Sequence, residues 1–197
     1  MNIAMWSGPR NISTALMRSF ENRSDTYVTD EPYYAYFLTE SGENHPARKE
    51  ILNNQSSDWN TVSSMLIGEI PKQKKVDLVD HMQLGYNQQV QIMNFVADTT
   101  GDFPIVINAK DVLMNPQKIL SEICRIMQID FDERMLYWPA GKRDTDGVWA
   151  PHWYSEVEKT TGFQPYSDKN IVLDAKWEDI YYRCMIDYEI LTSRSIK

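Results

Sequence analysis

Long apolar runs are missing from this chain. No stretch approaches the ~20 apolar residues that a membrane-spanning helix needs, so a transmembrane protein is not expected. Cysteine is scarce: Cys124 and Cys184 are the two in 197 residues, both among apolar helical neighbours. They read as reduced core thiols of a cytoplasmic protein rather than as a disulfide scaffold. Positive charge is in deficit, with 20 Lys and Arg against 28 Asp and Glu and a net charge of −8. That balance argues against coating nucleic acid or an anionic membrane, while leaving room for a small basic pocket. Met1 to Trp6 is a short apolar run ending at Ser7-Gly8-Pro9, without the basic leader and longer apolar core of a signal peptide. Two phosphate-chemistry signatures are also lacking. Without G-x-x-x-x-G-K-[ST] an ATPase or kinase with a magnesium site is disfavoured, and without C-x₅-R so is a phosphatase. No metal site is expected.

What is present is ordinary globular composition, 42% hydrophobic and 24% charged, read as a single domain over 1–197. Residues 2–6 read as a buried first strand and 27–29 as a second. A helix is expected from Ile12 to Glu21, with Ile12, Leu16, Met17 and Phe20 inward, Arg18 and Glu21 outward, and Asn11 or Ser13 as the cap. Ser41 to Pro46 reads as a loop, with helical patterns over 46–55 and 58–67. Pro71 to Lys75 is a basic connector. Asn87 to Thr99 reads as a helix with Val90, Met93, Phe95, Val96 and Ala97 apolar. Pro104 to Asn108, β-branched at its centre, reads as the clearest strand. Asn115-Pro116 opens a helix with Ile119, Leu120, Ile123, Cys124 and Met127 as its stripe. Trp177, Ile180, Tyr181, Cys184, Tyr188 and Leu191 mark a long C-terminal helix. Short strands alternating with helices indicate an α/β domain with a parallel sheet.

The chemically informative stretch is Trp6-Ser7-Gly8-Pro9-Arg10-Asn11-Ile12-Ser13-Thr14, between the first strand and the first helix. Ligands of open α/β sheets bind at the carboxyl ends of the strands. A helix N-terminus there offers unpaired N–H groups and a positive dipole to an anion. Arg10 adds a fork of donors suited to phosphate or sulfate, and Ser13 and Thr14 add hydroxyls.

Met5 to Leu16 resembles the phosphosulfate loop of the sulfotransferase-like P-loop family, and most closely its bacterial and plant members, some of them labelled aminotransferase-like. The resemblance continues through Asp30-Glu31-Pro32-Tyr33-Tyr34, through Gly85 to Gln89 and through Asn115-Pro116. It is strongest from Trp138 to Tyr154, which is similar to a late basic-Gly-Trp loop. The resemblance implies a P-loop NTPase-like three-layer α/β/α fold with a central parallel sheet. It implies a donor, 3′-phosphoadenylyl sulfate (PAPS, giving the product PAP), no metal, and a small-molecule acceptor. Ser7, Gly8, Pro9, Arg10, Asn11, Ile12, Ser13 and Thr14 would hold the phosphosulfate. Lys142, Arg143, Gly147 and Trp149 would meet the rest of the nucleotide, with Lys142 and Arg143 on its 3′-phosphate. Glu31, just past a strand end and followed by Pro32, is the first candidate for the general base. His45 and His152 follow it. The aromatics Tyr33, Tyr34, Tyr36, Phe37, Trp149, Trp153 and Tyr154 suit an adenine or an apolar acceptor.

One family feature is missing. The family's second nucleotide signature, a strand, an Arg-Asp-Pro-Arg-like turn and a helix bearing Ser, is not found. The chain around Val76 to Tyr86 is short of one strand–turn–helix unit. His81-Met82 could precede the gap, or Val76 to Gly85 could follow it. A sulfotransferase is therefore expected beside an alternative, a non-catalytic nucleotide- or anion-binding member acting as an interaction or regulatory module.

Overall fold

In a computed structural model the protein is described over residues 1–8, 11–67, 76–81, 85–169, 172, 175 and 178–197, with 76–81, 179, 180 and 183 by backbone alone. Pro9, Arg10, the connector residues 71–75, Met82 and Trp177 lie outside the described residues. The chain divides into two compact units. The first comprises Met1–Trp6, Ile12–Met82 and Arg134–Gly162, and the second Ser7–Asn11, Gln83–Glu133 and Phe163–Lys197.

The first unit is built on a three-stranded parallel sheet. Strand β1 (Asn2–Trp6) and strand β2 (Thr26–Thr29) flank β3 (Val76–His81). The register places Asn2 opposite Asp77 and Trp6 opposite His81 on one side, and Thr26 opposite Val76 on the other. Parallel neighbours need crossovers. Helix α1 (Ser13–Glu21) connects β1 to β2, and α2 (Tyr34–Ser41), α3 (Arg48–Asn54) and α4 (Trp59–Ile67) lead from β2 to β3. The expected buried character of β1 is not observed: its residues alternate between half-buried and exposed, with Trp6 40% exposed. The reason is position, since β1 is an edge strand with one described partner.

In α1, Leu16, Met17 and Phe20 are buried as their spacing predicts, but so is Arg18, expected in solvent. Neither Asn11 nor Ser13 caps it. The N-cap position is Ile12, whose side chain makes no capping bond. Helix α2 was not legible as a helix in the aromatic run after Pro32. It ends at Gly42, whose φ of 68° is the left-handed stop that glycine accepts without cost. Ala35 and Leu38 of α2 pack with Ile51 of α3 against Trp149, Ala150 and Tyr154 of the late segment. Each large apolar side chain buried there contributes about 1.5–3 kcal/mol.

The second unit is helical: α5 (Tyr86–Thr100), α6 (Ala109–Met114), α7 (Pro116–Ile126) and α9 (Glu178–Ser193). The short α8 (Ala150–Trp153) belongs to the first unit. Asn115 accepts the Lys118 N–H at 3.1 Å and Pro116 fills the first turn, so α7 starts where its sequence says. Ile119, Leu120, Ile123 and Cys124 form its buried stripe. In α5 only Met93 of the expected stripe is buried, and Phe95 is 68% exposed. Residues 104–108 form no strand. They make a single bridge, Val106 to Ser195, because an apolar run becomes a strand only where a partner ladder meets it. Cys124 and Cys184 are not joined in a disulfide. Among the described residues no helix is long and apolar enough to cross a membrane, and no group of three His, Cys, Asp or Glu side chains is placed to hold a metal.

Candidate functional site

β2 delivers two carboxylates in succession at its C-terminal end, Asp30 and Glu31. Thr26 and Val28 face inward along β2 and Tyr27 outward, so the strand's alternation points the chain into the protein interior as it ends. Glu31 is 3% exposed and holds φ at +41°, a region non-glycine residues rarely occupy and one that functional turns favour. The turn is braced from α3 outward. Gln55 Nε2 donates to the Glu31 carbonyl at 3.1 Å, Gln55 Oε1 accepts the Ala35 N–H at 3.2 Å, and the Tyr34 N–H reaches the same Glu31 carbonyl. Pro32 fits because nothing requires an N–H there.

Asp30 is 6% exposed. Its Oδ2 accepts the Tyr154 hydroxyl at 2.6 Å and, more loosely, the Gly147 N–H at 3.4 Å. Its Oδ1 is buried with no hydrogen-bond partner among the described residues. Removal from water raises its carboxyl to about 7 against the pull of the Tyr154 and Gly147 bonds, with Asp146 adding to the rise and Arg18 opposing it. Tyr154 in turn accepts Trp149 Nε1 at 3.2 Å. Burial, with the Asp30 and Glu31 charges beside it, pushes its hydroxyl well above the usual phenol range. Beside this chain Tyr34 shares a hydrogen with His45 Nδ1. The Tyr34 hydroxyl is likewise raised, first by burial and then by Glu31 and Glu43. The His45 ring lies 5.5 Å from that of Trp153.

The late loop meets α1. Arg18, with no exposed surface, donates from Nη1 to the Gly141 carbonyl at 2.9 Å and from Nη2 to both carboxylate oxygens of Asp146 at 3.1 and 3.0 Å. One helical turn on, Glu21 accepts the Thr145 hydroxyl and pairs with Arg143 Nη1 at 3.3 Å. Gly147 is obligatory where it stands. A Cβ there would lie 2.1 Å from the buried Trp149 ring.

The structure thus brings Glu31, His45, Arg143, Gly147 and Trp149 into one unit. Trp149 is 1% exposed and packs in the core. His45 spends Nδ1 on Tyr34, and His152 is exposed. Lys142 is exposed and Arg143 half-buried on Glu21. At the other end Ser7 and Gly8 are buried, Ser7 Oγ having no partner among the described residues. Asn11 is exposed, Ile12 and Thr14 half-buried and Ser13 buried, while Pro9 and Arg10 fall outside the described residues. Sequence reasoning missed Asp30, Arg18 and Asp146, and read Tyr154 as a stacking aromatic rather than as the hydrogen-bond partner of Asp30. Asp30 and Tyr154 sit at the edges of stretches that resemblance already marked. Arg18 carries no local signal, because its partner lies 128 residues away.

A profile described as a sulfotransferase domain matches residues 1–94 and 75–195. Residues 75–94 fall in both matches. Among curated proteins the chain is similar to branched-chain-amino-acid aminotransferase-like protein 1 of Arabidopsis thaliana, 30% identical over 97% of this chain and 41% of that protein. It is also similar to branched-chain-amino-acid aminotransferase-like protein 2 of the same plant, 29% identical over 96% of this chain and 41% of that protein. The chain therefore spans about two fifths of the length of these relatives. The alignments extend over 231 and 229 positions, more than the 197 residues of the chain, so each relative carries residues with no counterpart here. No solved structure matches.

Proposed function

The chain belongs to the sulfotransferase-domain family, and from that premise we propose that it transfers a sulfuryl group from PAPS to a small-molecule acceptor, on a P-loop-like α/β/α scaffold. The family match carries this reading, and the start of α1 supports the choice of donor. α1 opens at Ile12, which makes no side-chain capping bond, and has no acidic residue in its first turn. Both features suit a bound anion. The donor, when bound, supplies an activated sulfuryl group on a phosphate leaving group.

The remaining work belongs to the chain. Arg10, the first-turn N–H groups of α1 and the Ser13 and Thr14 hydroxyls would hold the phosphosulfate and stabilise charge on the leaving phosphate. Glu31 would accept the acceptor's proton. Its buried, braced turn keeps the carboxylate near one orientation, which is what a general base needs before its basicity matters. His45, engaged with Tyr34, ranks behind it. The aminotransferase in the relatives' names is not carried over, since the chain matches only about two fifths of those proteins and its own family match is to a sulfotransferase domain.

Calorimetric titration with PAP tests the reading. Wild-type protein is expected to bind it, and Arg10→Ala to weaken binding by about 10- to 100-fold, as for loss of a charged hydrogen bond. No binding by wild type overturns the donor, and unchanged binding by Arg10→Ala overturns the loop assignment. The residues that the relatives carry and this chain lacks favour a second reading, a member that binds the nucleotide without transferring sulfate. PAP binding without consumption of PAPS in the presence of a panel of alcohols, phenols and amines would select it.

A further inference from the structure

Loop 141–147 is short and polar, yet it is held at two points by α1. A single buried guanidinium, Arg18, closes on the Gly141 carbonyl and on both oxygens of Asp146. Asp146 also accepts the Arg143 N–H at 2.8 Å, and its own N–H returns to the Arg143 carbonyl. Lys142 and Arg143 thus sit at the centre of a ring of hydrogen bonds whose two ends are fixed on one side chain. Glu21 makes the second hold through Thr145 and Arg143. A fully buried ion pair is a poor way to gain stability, because desolvation offsets most of its attraction. It is a good way to hold a loop in one shape. Arg143 supplies the pointer to a ligand. Nη1 goes to Glu21, but Nε and Nη2 are buried with no partner among the described residues. Buried donors left unmet are costly, and an anion at that point would satisfy them. Exposed Lys142 stands next to them.

The family resemblance puts Lys142 and Arg143 on the nucleotide's 3′-phosphate, and we propose that Arg18 and Asp146 are positioning residues that hold loop 141–147 in the shape for that contact. This rests on the PAPS reading. α1 would then serve both ends of the nucleotide, with its first turn on the phosphosulfate and its second on the loop. At ~1.5 Å per residue the helix keeps Ser13 and Arg18 about 8 Å apart along its axis, a spacing that side-chain motion does not alter.

The test compares PAP with 5′-AMP, which lacks the 3′-phosphate, by calorimetry on the full chain. Wild type is expected to prefer PAP. Asp146→Asn keeps an acceptor for Arg18 but loses the charge and the two-oxygen grip. It is expected to reduce the PAP preference about tenfold while leaving 5′-AMP affinity within about threefold. Arg18→Lys is the second variant. It keeps the charge but cannot span the Gly141 carbonyl and both Asp146 oxygens, and it is expected to show the same selective loss. A general loss of structure would weaken both ligands together and overturns the proposal. So does a PAP preference that survives both variants, and so does a wild type that binds PAP and 5′-AMP equally. Absence of PAP binding by wild type overturns instead the donor reading on which the proposal rests.

Discussion

Replacing Asp30 by asparagine should change how stability depends on pH. Asp30 ionises near 3.8 when solvated and near 7 in the fold, because burial strips water from its carboxylate faster than the Tyr154 and Gly147 bonds replace it. A folded value above the unfolded one means that the native state holds the proton more tightly. Its stabilising effect is complete below about pH 3.8 and is lost as the pH rises to about 7. At 1.36 kcal/mol per unit, wild type should lose about 2–3 kcal/mol from this group alone between pH 5 and pH 8. The amide of Asp30→Asn has no such proton to lose and still offers an oxygen to Tyr154. Urea denaturation of both proteins at pH 5 and pH 8, followed by tryptophan fluorescence, isolates the effect, since every other titration cancels in the difference. The gap between variant and wild type should move in favour of Asp30→Asn by about 2–3 kcal/mol from pH 5 to pH 8. A gap that stays constant within about 0.5 kcal/mol would refute the argument that burial keeps this carboxyl protonated.

Three further outcomes are expected. Gly147→Ala places a methyl 2.1 Å from the buried Trp149 ring, so unfolding experiments should show a loss of about 1–3 kcal/mol or more. An unchanged midpoint would mean that the ring can move aside. Arg18→Ala strands the Asp146 carboxylate in the interior and should cost about 3–5 kcal/mol in chemical denaturation, with much of it restored in Arg18→Ala/Asp146→Ala if the stranded charge is the cause. Asn115→Ala removes the cap of α7 and should cost about 1 kcal/mol, read as a shift in urea midpoint at constant slope.

Local chemistry decided what the sequence could show by itself. The period of apolar residues located α1, α5, α7 and α9. Asn115-Pro116 marked the start of α7, and the Gly8 to Thr14 and Trp138 to Tyr154 stretches marked the family. Each of these signals is complete within a few turns of chain, because helix periodicity and capping are set by neighbours three or four residues apart. Strands are different. Residues 104–108 have strong β propensity and make no strand, while Val76–His81 occupies the middle of the sheet. Propensity says which backbone shape a segment tolerates, and only a partner supplies its hydrogen bonds. Charged side chains follow the same division. Arg18 stands in α1 where an outward arginine is expected, and Asp30 reads as one more carboxylate at a strand end. Their burial comes from Asp146, more than a hundred residues along the chain, and from the Tyr154–Trp149 wall. The residue types that bind anions were therefore visible in the chain. The fold alone decided which charges are spent on the protein and which are left for a ligand, since desolvation and pairing depend on groups brought close by distant segments.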